Sequence, residues 1–307
     1  MPNKSLWGYL HHLYDNQDAG NIAGARLDNS WFVDPVNGNN ARDGRSYGTS
    51  KLTLASVLAL AVSGDFIFIY PGQLDEGGLN IARAQSKLTL IGVGGRGSVF
   101  IEPSTEDLDG LAIHADDVTL INIGIAAEDE TAGNLALDVT GSRLRAYGCK
   151  IEGGEDQLSI GPGTVAQEAA GTRGRGGDCA FYDCEFCWGT NGVDLVCTDF
   201  GAVTQVKFYN CLFHNITGSH VKETVGSGGS AAVGYRDIWF TDCFFSDLED
   251  GTAPTKYFDL NDNNANTGVV TRCSLPTAIN SGLNLVSTAM HWVSNFHTGG
   301  ISTAQPS

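Results

Sequence analysis

Asp194, Lys222, Glu223 and Asp259 are the residues of this sequence whose types could carry bond-breaking chemistry together. Two carboxyls held about 5–9 Å apart, one of them protonated, cleave a glycosidic bond, and a placed amine or carboxylate can abstract a proton. The four lie in short stretches that alternate apolar and polar residues: VDLVC from Val193, HVKETV from His220 and YFDLN from Tyr257. Such alternation marks a strand with one buried face. Asp194, Lys222 and Asp259 then fall on the outer side, with Asp138 of LALDV and Ser159 of QLSI, while Glu223 is ambiguous in parity. A solvent-facing strand position is polar without any function, and an acid–lysine–acid ladder also relieves like-charge repulsion.

Other motifs promise less. Eight cysteines sit within apolar strand patterns of a long chain, which reads as small buried hydrophobes rather than a disulfide scaffold. One CxxC, Cys184 to Cys187, lacks further ligands at zinc-site spacing, so neither a metal nor another cofactor is expected. DLNDNNANTG, from Asp259 to Gly268, has Asn264 where a calcium loop needs Gly, and reads as a polar turn. TRGRGG, from Thr172 to Gly177, reads as a Gly-rich loop carrying solvated Arg173 and Arg175.

What would hold the acids in place is a mostly-β architecture. Forty glycines in 307 residues, with abundant Val, Ile, Phe, Thr and Asn, favour strands and corners over helices. A net charge of -17 excludes a nucleic-acid binder, which needs clustered Lys and Arg. The apolar run from Leu52 to Val62 is too short to insert in a bilayer of about 30 Å. The opening MPNKSLWGYLHHLYD lacks a basic segment followed by an apolar one, so synthesis in a cytoplasm without a signal peptide is expected.

A repeat organises the chain. CAFYDCEF, VKFYNCLF and IWFTDCFF align with LTLIGVGG, VTLINIGI, LRAYGCKI, GVVTRCSL and HWVSNFHT to give eight rows at a period of about thirty residues. One column runs Val93, Ile123, Cys149, Cys184, Cys211, Cys243, Cys273 and Phe296. The column before it holds Gly92, Asn122, Gly148, Asp183, Asn210, Asp242, Arg272 and Asn295, and all but Arg272 are types that tolerate a left-handed corner. Phe186, Phe213 and Phe245 form an inner column after the corner, Phe181, Phe208 and Phe240 one before it. With the alternating strand that follows each row, three strands per turn predict an all-β, single-stranded parallel β-helix of about eight coils, which the resemblance given below implies is right-handed. Ile91, Ile121, Tyr147, Tyr182 and Tyr209, just before the corner, then form an outward stripe fit for a subunit interface or a sugar-stacking platform.

At its start the chain resembles the right-handed parallel β-helix proteins of the pectate-lyase-like class. WFVDPVNGNNARDGRSYGTS from Trp31, the helical stretch from Leu52 to Gly64 and GDFIFIYPG from Gly64 follow the order seen in many bacterial lyases and phage tailspike-like proteins. The resemblance implies a β-helix domain over 31–297 with an N-terminal capping helix, which covers an otherwise open solenoid end. It also implies that any catalytic acids, bases or calcium ligands lie on the outer face of one sheet. Residues 1–30 form an arm in which Leu6, Trp7, Leu10, Leu13 and Tyr14 offer an apolar helical face for its own solenoid or a partner, and 298–307 form a polar tail.

With no concentrated catalytic cluster, the sequence is similar to the tailspike-related decoration proteins of phage capsids. The expectation is a non-enzymatic virion component, a homotrimer bound to the major capsid protein or another virion protein at the capsid surface or tail. A polysaccharide lyase or glycoside hydrolase acting on host surface polysaccharide, with Asp194, Lys222, Glu223 and Asp259, is the alternative; a carbohydrate-binding module using the Tyr stripe is a third.

Overall fold

A computed structural model describes residues 29–76, 78–103, 105, 108–127, 134–161, 176–197, 203–225, 236–260, 267–276, 284–286, 290–297 and 300–302. Leu6, Trp7, Leu10, Leu13 and Tyr14, Arg173 and Arg175, and Asn264 lie outside the described residues.

Three parallel sheets form a right-handed β-helix. Sheet one stacks ten strands: Ser30–Val33, Phe66–Ile69, Thr89–Gly92, Thr119–Ile121, Arg145–Tyr147, Ala180–Tyr182, Lys207–Tyr209, Ile238–Thr241, Gly268–Thr271 and Met290–Val293. The eight aligned rows therefore extend by two rungs towards the N-terminus, where SWFV and FIFI join the same ladder. The turn between these two carries the helix Leu54–Leu58, and the second puts Ile69 where later rows have a corner residue, so neither joined the alignment. Sheet two has seven strands, from Gly72–Asp75 to Phe244–Phe245, and sheet three has eight, from Leu79–Ile81 to Asn284–Val286.

The corners explain the recurring motif. Asn122, Gly148, Asp183, Asn210 and Asp242 all take φ between 51° and 59°, and Arg272 joins them at φ 53° while its guanidinium holds both carboxylate oxygens of Asp242 at 2.7 Å. Two rows depart from expectation. Gly92 stays in its strand, and its missing side chain is needed because a Cβ would meet the Asn122 carbonyl at 2.3 Å. In the last row Ser294 makes the bend at φ 56°, shifting Asn295 rather than Phe296 into the cysteine column. Asn295 is fully buried there, accepting from the Cys273 amide and donating to the Val270 carbonyl, both at 2.9 Å. A second left-handed column, Lys87, Asp117, Arg143, Asp178, Gln205 and Asp237, bends the chain into sheet one; only its three Asp residues are of a type that advertises the bend.

Inside, identical rings stack rung over rung. Phe208 lies between Phe181 at 5.0 Å and Phe240 at 4.8 Å, and meets Phe186 and Phe213 edge-on. Phe186, Phe213 and Phe245 stack at 4.7 Å in sheet two. Cys149, Cys184, Cys211, Cys243 and Cys273 are buried free thiols on successive rungs, not disulfides; burial pushes the thiol of the neighbouring core residue Cys179 up to about 12.

The expected capping helix is a short one, Leu54–Leu58, burying Leu54, Val57 and Leu58. Thr53 caps it by accepting from the Ser56 amide, and the Glu76 carboxylate accepts from the amides of Leu54 and Ala55, occupying its unpaired donors. At the other end Gly300–Ser302 pairs antiparallel with Asn295–His297. Among the described residues no helix is long and apolar enough to cross a membrane.

Candidate functional site

The outer face of sheet three gathers the acids singled out in the sequence. Its ladder places Asp138, Ser159, Asp194, Lys222 and Asp259 in one column, each in register with the next. Glu223 pairs in register with Leu195, in the column that alternates with Asp194, and is itself buried. It therefore leaves the proposed catalytic set, because strand parity turns it to the opposite side of the backbone. Asp259 lies beside Lys222 in register, yet the Lys222 ammonium reaches back across the earlier rungs, 2.7 Å from Asp156 and 3.5 Å from Asp194.

Asp156 was missed in the sequence. It stands at the start of the strand Asp156–Ile160, in register with Asn191, whose amide donates to it at 3.0 Å. Extending the aligned strands by two residues towards the N-terminus would have exposed this second polar column. Asp156, Asp194 and Lys222 form one compact cluster, with Asp194 only 3% exposed. Burial raises the Asp194 carboxyl to about 7, against the pull of Lys222 and with reinforcement from Asp156. Burial works against the Lys222 charge, but Asp194 and Asp156 outweigh it and hold the ammonium above its ordinary range. A near-neutral carboxylic acid beside a fixed ammonium can give or take a proton at physiological pH.

Two rungs earlier, burial and the neighbouring Asp109 raise Asp138 to about 7, and burial also raises Asp109 itself. A depression lined by Leu79, Asn80, Asp109, Ala112 and Asn134 opens beside them. A carboxyl whose folded pKa lies above its unfolded value stabilises the fold fully below about pH 4, and that contribution is lost as pH rises through about 7. Asp138→Asn is therefore expected to leave the melting temperature unchanged at pH 4 and to raise it at pH 8. The test is the difference between variant and parent, because buried His220, with its pKa depressed to about 3, acts in the opposite sense in both.

On sheet one Leu90 and Leu120 join the hydrophobic core cluster, while Ile91 and Ile121, the next residues along, do not. Exposure is uneven: Ile91 and Ile121 are only 7% and 8% exposed, because a ladder of like side chains covers its own members. Tyr147, Tyr182 and Tyr209 are half-buried and stack face to face at 4.9 and 5.1 Å. The ladder also extends beyond the five, from Phe32 and Phe68 at one end to Thr241, Thr271 and Val293 at the other.

On sheet two, Glu185, Cys187 and His214 bring one ligand atom each within 4.8 Å of the others. Cys184 of the same CxxC faces the core, so the two cysteines diverge instead of sharing an ion.

The fold is that of the pectate-lyase-like right-handed parallel β-helix class. Solved structures with this architecture include the pectin methylesterase of Aspergillus niger, 16% identical with a TM-score of 0.60 over 91% of this chain and 88% of that one. The pectin methylesterase PemA of Erwinia chrysanthemi matches at 14% identity and TM-score 0.53, over 90% and 92%. Pectate lyase Pel9A matches at 15% and 0.54, over 91% and 78%. No family model and no curated protein matches the sequence. At these identities the likeness is one of fold, which hosts many unrelated functions.

Proposed function

We propose that the protein is a non-enzymatic virion component, a decoration or stabilising protein related to tailspikes, that assembles as a homotrimer through the outer face of sheet one. The observation that carries this reading is the unbroken outward ladder from Phe32 to Val293, which crosses all ten rungs of sheet one. Phe66 and Trp239, at 44% and 40% exposure, add apolar surface on the same face, and Val293 at the ladder's end is 46% exposed. The half-buried tyrosine stack at its centre, with these exposed apolar side chains, suits burial against copies of itself, where like surfaces meet about a symmetry axis. Attachment to a capsid would use one end of the solenoid or the N-terminal arm.

A specific observation favours a second reading, an enzyme acting on acidic glycans. The Asp156–Lys222–Asp194 cluster lies on the outer face of one sheet, in a fold shared with pectin methylesterases and pectate lyase.

Sedimentation of the purified chain separates the two. A trimer that dissociates in Tyr182→Asp and Trp239→Asp, and that co-sediments with emptied capsids, is the expected result. A monomer that cleaves or de-esterifies a member of a polysaccharide panel, and loses this in Asp194→Asn, would replace the first reading with the second.

A further inference from the structure

Sheet two carries a cluster used by neither reading. Glu185 and Cys187 alternate on the outer side of the strand Glu185–Gly189, and the register of the next rung sets His214 beside Cys187. Cys187 is buried but stands apart from the hydrophobic core, unlike the stacked cysteines of the corner column. Glu185 Oε1 lies 3.1 Å from His214 Nε2 and 3.6 Å from Cys187 Sγ. Those separations match the edges of a tetrahedron around zinc: bonds of about 2.0 Å to nitrogen and oxygen and about 2.3 Å to sulfur put the ligands about 3.3 and 3.5 Å apart.

We propose that Glu185, Cys187 and His214 form a binding site for a borderline divalent transition metal, zinc above all, with one carboxylate, one thiolate and one imidazole ligand.

The surroundings fit. Arg96 occupies Glu185 Oε2 at 3.2 Å and leaves Oε1 to face the other two ligands. Asn215 lies 3.0 Å from His214 Nδ1, so its amide can fix the ring with Nε2 turned to the metal; on binding, the amide oxygen would accept the Nδ1 proton. Glu152 lies 3.8 Å from Cys187 Sγ and is held by the Lys150 ammonium, so the fourth position would fall to water. A mixed nitrogen, oxygen and sulfur set suits zinc or cobalt(II) better than calcium or magnesium, which take oxygen. A Cys–His nucleophile is the other chemistry these residue types allow. It is disfavoured because the His214 Nε2 faces Glu185 rather than the thiol. Zinc takes cysteine as the thiolate, so metal binding would release the thiol proton to solvent.

The two strands are consecutive rungs, so the ion would join neighbouring coils on the outer surface. The sequence hides this site because two ligands share one strand and the third comes from the next coil, a spacing unlike that of any compact zinc motif.

The test uses the full chain, stripped with a chelator and titrated with zinc or with cobalt(II). One equivalent bound per chain, proton release, and a thiolate-to-cobalt charge-transfer band in the near ultraviolet are expected. Cys187→Ser should abolish the band, and His214→Gln should weaken zinc binding at least tenfold, with circular dichroism unchanged in both. Zinc that does not bind, or a cobalt band that survives in folded Cys187→Ser, overturns the proposal. Should either variant fail to fold, Glu185→Gln decides it, read by zinc affinity and by the visible d–d absorption of the cobalt form: no change in either counts against the site.

Discussion

Phe208→Ala is expected to lower the unfolding free energy by about 3–5 kcal/mol, as for other buried aromatic truncations. The reason lies in the stack. Phe208 is fully buried and is the middle ring of three, with Phe181 and Phe240 on its faces and Phe186 and Phe213 against its edges. The ladder hydrogen bonds on both sides fix the rung spacing, so neighbouring coils cannot close the gap. The lost transfer energy and the cavity term then add. Phe208→Leu, which refills most of the volume, should cost less than half as much. Urea unfolding of the three proteins measures both; a loss below about 1 kcal/mol for the alanine variant would mean that the coils can collapse towards one another.

Lys222→Met should be nearly as damaging at pH 8, by about 3–5 kcal/mol, since it removes one partner from a buried ion cluster. Asp194 and Asp156 would then face each other at low exposure with no cation between them. The loss should shrink at pH 5, where Asp194, already raised to about 7, is protonated at little cost. The double variant Lys222→Met with Asp194→Asn should recover much of the loss at pH 8. Unfolding measured at both pH values in both variants distinguishes this electrostatic origin from simple loss of the lysine stem, which would be independent of pH and would not be rescued.

Much of the fold was legible because stacking makes the sequence repeat itself. Each coil passes through one corner over one core, so Asp183, Asn210 and Asp242, and Phe181, Phe208 and Phe240, recur in step. Of the first two rungs, one is set off by the turn that carries the helix and the other puts Ile69 in the corner column, so neither joined the aligned rows, and the last row was misaligned by one because Ser294 makes the bend without being a residue type that advertises it. The parity of Glu223, ambiguous in HVKETV because polar residues run on from Lys222, is settled by its pairing with Leu195, and Asp156 lay just outside the strand as its sequence was parsed. The candidate site depended on contacts between rungs. Lys222 chose Asp156 over its register neighbour Asp259 through side-chain reach and burial, which no single coil's sequence records.

Asn295 occupies the place where another thiol would continue the column, and its amide gives the Cys273 N–H and Val270 C=O of the preceding rung partners from a side chain. The thiols of the column make the same link more weakly, Cys211 Sγ to the Phe181 carbonyl at 3.6 Å and Cys243 Sγ to the Phe208 carbonyl at 3.5 Å, so the amide rivets together two coils that sulfur leaves loosely tied.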